Sequence, residues 1–192
     1  MSVEYKNDDF VLKFTDDSEK VRDVVDKYEA YLYAFTTADF GHVRDAIRQT
    51  VAFFVSDRYP TTRDLADYTY GVSRPMQRRY ESKSEYLDNF RILDRKSVTV
   101  DLATGTGKSW VIFGVAQIML AEGLVDKVLV LCPSLTIEEE LRAKFERFSG
   151  DDTLTRILEE LGGRWPSPGI KKANVLILDG DICVENIHAA YE

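Results

Sequence analysis

A short glycine-containing loop, set between an extended apolar run and an apolar helix, constrains the fold of this chain most strongly. The β-branched run over residues 97–102 predicts a strand, and residues 110–120 predict a helix packed in the middle of a sheet. Because glycine has no side chain, the main chain can curl closely around a dense anion, and the positive end of the following helix faces the same point. The loop comprises Thr104, Gly105, Thr106, Gly107, Lys108 and Ser109.

This loop is a candidate site for the phosphate chain of a nucleoside triphosphate. We expect the main chain at Gly105 and Gly107 to supply inward-facing N–H groups. Lys108 would reach the terminal phosphates as a point charge, which makes it the candidate catalytic residue. The hydroxyl of Ser109 is placed to bind Mg²⁺. The sequence therefore predicts a phosphate-binding loop with a bound magnesium ion.

The loop departs from the general pattern G-x-x-x-x-G-K-[ST] at its first position, which is Leu102 in this chain. Thr104 and Thr106 occupy variable positions, where they fill the loop and add hydroxyl contacts. The alternative is a chance Gly-Lys-Ser sequence in a turn. The predicted strand before the loop and the helix after it favour the phosphate-binding interpretation.

The first part of the chain, up to residue 96, has a helical pattern. Apolar residues at helical spacing predict helices over residues 21–35, with Ser18 as N-cap, and over residues 43–54. Thr61 to Asp64 resembles a capping box that opens a short helix towards Tyr70, and a further helix is predicted from Met76 to Phe90. The many Tyr and Phe residues here are expected in the core rather than on a base-stacking surface.

The second part alternates strands and helices, which predicts a parallel sheet with helices on both faces. Beyond residues 97–102, strands are predicted at 127–132, 174–178 and 182–184, the first of them buried on both faces. Helices are predicted after a capping box at Thr136 and over residues 154–161.

Composition excludes several classes of protein. No apolar run is long enough for a membrane helix, and the polar, acidic N-terminus is no signal peptide, so we expect a cytoplasmic protein without membrane contact. Cys132 and Cys183 lie in apolar runs and are predicted to be buried, reduced thiols. His42 and His188 are isolated and receive no catalytic role. The net charge of −8 argues against this chain gripping nucleic acid alone by bulk electrostatics.

Three segments resemble motifs of superfamily 2 helicases and translocases. Residues 102–109, Leu-Ala-Thr-Gly-Thr-Gly-Lys-Ser, are similar to motif I in the form found in the motor subunits of type I and type III restriction enzymes, where a bulky apolar first residue is usual. Residues 128–136 resemble motif Ia, and residues 181–188 are similar to the strand and turn near motif Ic of type III Res-like ATPases. The resemblance covers about residues 97–192.

The resemblance implies an α/β fold and an ATPase that moves along or unwinds duplex DNA. It divides the chain into a helical N-terminal region, residues 1–96, and the first part of a RecA-like P-loop domain with a parallel sheet, residues 97–192. ATP and Mg²⁺ are the implied cofactors, with Gly105, Gly107 and Lys108 on the phosphates and Ser109 on magnesium. The implied partners are duplex DNA and other subunits of a restriction or defence complex. Residues near the DNA backbone would be Pro133, Ser134 and Thr136, for which a strand end followed by a helix cap is the alternative.

Two departures from the family pattern bear on activity. Val43 stands where the family has an adenine-reading glutamine, next to a matching Ala46-Ile47. No Asp-Glu-x-His or Asp-Glu-Ala-Asp box occurs, and Asp179-Gly180, which follows an apolar run, is a strong turn signal. We therefore expect a fragment of a longer motor that ends inside the first RecA-like domain, with weak nucleotide binding and negligible hydrolysis.

Two other classes of function remain open from the sequence. A small nucleotide or metabolite kinase also uses such a loop, although about a hundred residues precede the loop here and no arginine-rich lid follows it. Alternatively, the acidic helical front could be a protein-interaction module that uses the nucleotide site as a switch.

Overall fold

The computed structural model describes residues 12, 14–36 and 38–190. The chain divides into two compact units. Among the described residues, unit 1 takes in 12, 14–22 and 52–100, and unit 2 takes in 23–36, 38–51 and 101–190. The predicted division at residues 96 and 97 remains a prediction.

Helices dominate the chain before the glycine loop. They are α1 (Glu19–Lys27), α2 (Glu29–Phe35), a 3-10 turn (Ala38–Phe40), α3 (Gly41–Val55), α4 (Thr62–Val72), α5 (Arg74–Arg79) and α6 (Lys83–Leu87). After the loop come α7 (Lys108–Ala121), β1 (Val128–Cys132), α8 (Leu135–Ser149), α9 (Asp152–Glu160), β2 (Ile170–Lys171), β3 (Ile182–Asn186) and a 3-10 turn (Ile187–Ala190).

Capping side chains set the helix boundaries of unit 1. The Thr61 hydroxyl accepts from the Asp64 N–H, and the Asp64 carboxylate accepts from the Thr61 N–H at 2.8 Å, which confirms the predicted capping box. The single helix predicted from Met76 to Phe90 is wrong. The chain is extended at Tyr80, and the Ser82 hydroxyl accepts from the N–H of Glu85 to begin α6.

Aromatic side chains form the core of unit 1, as predicted. Phe53, Tyr59 and Leu65 are buried together, and Phe14 meets the Phe53 ring edge-on at a centroid distance of 5.7 Å. A second cluster comprises Ala66, Met76, Tyr86 and Leu87.

The strand predicted over residues 97–102 is wrong, because no strand forms in this segment. A strand needs a neighbouring ladder for its main-chain groups. Instead, the Ser97 N–H donates to the Thr62 hydroxyl at 2.8 Å, and the Thr62 N–H donates to the Arg95 carbonyl at 3.0 Å. The start of α4 thus bonds to the main chain at the first residue of this segment.

Unit 2 contains a three-stranded parallel sheet in the order β1-β3-β2, which confirms the predicted α/β class and parallel sheet. β1 pairs with β3 from Val128 opposite Ile182 to Cys132 opposite Asn186. β3 extends the segment predicted at 182–184, and the short β2 was not predicted. The strand predicted at 174–178 is wrong: Val175 N–H donates to the Lys172 carbonyl in a turn, and Leu176 is 78% exposed.

β1 is not buried on both faces, contrary to the prediction. Val130 and Cys132 are buried, whereas Leu129 and Leu131 are 60% and 47% exposed. α8 packs against all three strands. The capping box predicted at Thr136 is also wrong, because α8 begins two residues earlier with Ser134 as N-cap, its hydroxyl accepting from the Ile137 N–H.

α7 is buried along most of its length, as its apolar sequence predicts. The Trp110 ring lies 4.5 Å from that of Phe148 and 4.8 Å from that of Phe35, measured between centroids. The helical pattern predicted over residues 21–35 is interrupted at Tyr28, whose hydroxyl donates to Glu122 at the C-terminus of α7. Burial, and after it this hydrogen bond, raises the pKa of Tyr28.

Candidate phosphate-binding loop

Residues 104–106 turn and lead into α7 at Lys108. Gly105 has φ +82° and Gly107 has φ +98°, a left-handed conformation that other residues rarely adopt. The Thr106 hydroxyl and N–H both donate to the Ala103 carbonyl, at 2.7 and 3.4 Å. The N–H groups of Lys108 and Ser109 come before the first hydrogen bonds of α7, in which Trp110 and Val111 donate to the Gly107 carbonyl at 2.9 and 3.2 Å, so the loop ends at donors suited to an anion.

Two residues near the start of α3 and one from the preceding 3-10 turn hold this loop. His42 Nε2 lies 2.8 Å from the Thr106 carbonyl oxygen, and because a carbonyl only accepts, the ring nitrogen must donate. A Cβ at Gly107 would lie 2.8 Å from Val43 Cγ2 and 2.9 Å from Phe40 Cε1. A side chain at position 107 is therefore excluded by contact as well as by φ. No role was predicted for His42, because only the fold brings this residue to the loop.

A cleft of about 310 Å³ opens at the loop, at the lower end of the range for ligand pockets. Of the six predicted loop residues, all but Thr106 line it. The other lining residues are Phe40, Trp110, Lys144, Arg147 and Phe148. The sequence-based prediction missed these five: Trp110 directly follows Ser109 in α7, and the other four reach the loop through tertiary packing.

The electrostatic character of the cleft is positive. Lys108, Lys144 and Arg147 line it, and no carboxylate does so among the described residues. The N-terminus of α7 adds a partial positive charge at the same point. The cleft therefore suits a small anion with several negative charges, whereas the whole chain has a net charge of −8.

The residues predicted near a nucleic-acid backbone lie at the end of β1. Ser134 caps α8, which confirms the helix-cap alternative for this residue. Pro133 lies between the strand and the helix, and Thr136 lies in the first turn of α8. A role of these residues in contacting DNA remains a prediction.

The Asp179-Gly180 segment is a turn, as its sequence favours. Gly180 has φ +87°, and its N–H donates to the Asp126 carbonyl at 2.7 Å. Asp179 faces Lys127, with Oδ1 and Nζ 3.5 Å apart. The segment therefore does not supply an aspartate-glutamate pair for activating water.

Cys132 and Cys183 are both buried and free, as predicted. Burial is the main cause that raises the pKa of both thiols, which keeps them protonated and unreactive at neutral pH.

Within the described residues, no cluster of His, Cys, Asp and Glu has the composition of a metal site. In the same part of the chain, no helix is both long and apolar enough to traverse a bilayer.

Comparison with protein families gives one match, to the family described as type III restriction enzyme, res subunit, over residues 71–192. The match begins at the end of α4, ahead of residue 97, and takes in the loop, α7 and all three strands. No curated protein and no solved structure matches the chain significantly.

Proposed function

Since this chain belongs to the family of type III restriction enzyme res subunits, whose helicase-like domains use ATP, we propose that residues 104–109 bind the phosphates of ATP. The family membership confirms the resemblance to superfamily 2 motors and identifies the α/β unit as part of a RecA-like domain. The proposal goes further in two respects. It places the nucleotide at one particular loop, and it takes duplex DNA as the substrate of the motor.

One observation carries the proposal: the loop combines two left-handed glycines, a helix N-terminus and Lys108 in a single cleft that no described carboxylate lines. A triphosphate needs close main-chain donors and a compensating charge, and this arrangement offers both. A chance Gly-Lys-Ser turn has no reason to open such a cleft.

The side chains of Lys108 and Ser109 then have defined tasks. Lys108, which would touch the terminal phosphates, offsets their charge and is the proposed catalytic residue. The Ser109 hydroxyl would provide one ligand to Mg²⁺. When bound, Mg²⁺ would neutralise charge on the phosphates as the terminal phosphoryl group is transferred to water.

The proposed setting is an ATP-driven DNA helicase or translocase of a cytoplasmic restriction or related DNA-processing system. The helicase-like family implies nucleic acid as partner. The net charge of −8 disfavours electrostatic binding of DNA by this stretch of chain. We therefore assign it the energy-using part of the motor and expect basic surfaces elsewhere in the assembly to hold the duplex.

Calorimetric titration with ATP and Mg²⁺ tests the proposal. We expect saturable binding by the wild-type chain and loss of that binding in Lys108→Ala. Lys127→Ala is a matched control, because Lys127 is an exposed lysine of the same unit outside the cleft. A flat titration of the wild-type chain at millimolar ATP, or equal affinity in Lys108→Ala, would overturn the assignment.

A further inference from the structure

We propose that Lys144 and Arg147 of α8 form the second wall of the phosphate site and make it selective for triphosphates over monophosphates. This inference rests on the proposed function of the loop and deepens it. The loop and α7 supply one side of the cleft, and these two residues face it from another helix.

The spacing of the two residues puts both charges on one side of α8. Positions three apart in a helix are neighbours on its surface, and both Lys144 and Arg147 line the cleft that contains Lys108. The Arg147 guanidinium carbon also lies 5.7 Å from the centre of the Phe148 ring, beside the buried aromatic cluster. The two cations therefore border the same space as the loop from a rigid element.

Among the described residues, no acid is paired with Lys144 or Arg147. Within the described residues, the ion pairs involve neither Lys144, Arg147 nor Lys108. On the same helix, Arg142 is paired with Glu146 at 3.3 Å. In a chain with eight more acidic than basic residues, three cations line one cleft to which no described carboxylate contributes, and this favours a ligand with several negative charges.

The charge and the length of a phosphate chain determine whether it can contact both walls of the cleft. A triphosphate presents enough negative charge for three cations and is long enough to be contacted from two sides, whereas a monophosphate can satisfy the loop alone. Hydrogen bonds between charged partners are the stronger class, so losing one should weaken triphosphate binding about tenfold.

The test compares inorganic tripolyphosphate, ATP and AMP, with binding followed by intrinsic tryptophan fluorescence, to which Trp110 in the lining of the cleft contributes. We expect Lys144→Gln and Arg147→Gln each to weaken tripolyphosphate and ATP about tenfold, with AMP affinity changed less than twofold. Arg156→Gln, an exposed arginine on α9 outside the cleft, should leave all three affinities unchanged.

The outcomes separate this inference from the proposed function. The role of α8 would be overturned if both α8 variants bound ATP and tripolyphosphate as tightly as wild type while Lys108→Ala lost binding. That result would leave the loop assignment intact. Equal losses for AMP and tripolyphosphate would overturn the selectivity. If the wild-type chain bound none of the three ligands, the loop assignment and this inference would both fail. Unchanged circular dichroism of the variants shows that they are folded.

Discussion

His42 Nε2 donates a hydrogen bond of 2.8 Å to the Thr106 carbonyl, and this contact ties α3 directly to the candidate phosphate-binding loop. The bond fixes the peptide that precedes Gly107, where the chain adopts its left-handed turn into α7. Loop geometry therefore depends on a residue more than sixty positions earlier in the chain.

Replacing His42 with alanine should loosen the loop and weaken ATP binding about three- to tenfold, which corresponds to the free energy of one hydrogen bond. Because the imidazole is exposed, we expect little change in the unfolding midpoint. Calorimetry with ATP and Mg²⁺ gives the affinity. His188→Ala removes the other histidine, which is also exposed, and serves as control. Equal affinities of the His42 and His188 variants would contradict the proposed tie.

Gly107→Ala should destabilise unit 2 more than Gly105→Ala. Both substitutions force a side chain into the left-handed region, at about 1–2 kcal/mol each. Only the Cβ at position 107 would also collide with Val43 and Phe40, since a Cβ at position 105 meets nothing within 4 Å. Urea unfolding followed by tryptophan fluorescence reports on this unit, because Trp110 and Trp165 both belong to it. The same loss in both variants would show that the contact with α3 is unimportant.

Glu138 should make the stability of unit 2 depend on pH in the acid range. The Lys172 ammonium, with Nζ 2.9 Å from Glu138 Oε1, holds the pKa of this buried carboxyl below its ordinary 4.5, and Asn186 adds a hydrogen bond. A lowered folded-state pKa gives stability that is present above pH 4.5 and is lost as pH falls through the folded value. Glu138→Gln should therefore be less stable than wild type at pH 7, and the difference should shrink below pH 4.5.

Urea unfolding from pH 7 down to pH 3 measures this effect. Glu139→Gln is the matched control, because Glu139 is the exposed neighbour on the same helix. A constant difference between Glu138→Gln and wild type across this range would contradict the linkage.

Lys96→Met should loosen the end of α3 by about 1–3 kcal/mol. Lys96 Nζ donates to the carbonyls of Phe53, Phe54 and Ser56, which would otherwise lack a donor at the helix C-terminus. Methionine keeps the apolar stem and removes the charge. Faster hydrogen exchange over residues 52–57 measures the effect. Lys83→Met, which breaks only the exposed pair with Asp67, should leave exchange there unchanged.

Local signals in the sequence predicted the parts of the fold that local forces determine. The capping box at Thr61, the turn at Gly180 and the apolar α7 depend on residues within a few positions of one another, and the structure confirms all three. The loop was located by the same local reasoning.

Features that depend on distant partners were not predictable in this way. Residues 97–102 have the composition of a strand, but the Ser97 N–H bonds to Thr62 and no ladder forms. The same reason hides Phe40, Lys144 and Arg147, because only tertiary packing brings α8 and the 3-10 turn before α3 to the loop. The N-cap of α8 was misplaced by two residues because Ser134 and Thr136 are both good capping residues.

The edge position of β1 has a consequence for handling the protein. Among the described strands, only β3 pairs with β1, so the N–H and C=O groups on the other edge of β1 have no strand partner. The exposed side chains of Leu129 and Leu131 lie on the same strand. Such an edge can template strand addition between molecules, and mutual repulsion of chains carrying a charge of −8 is the force that opposes it. Salt screens that repulsion, so colloidal stability of concentrated solutions should fall as ionic strength rises.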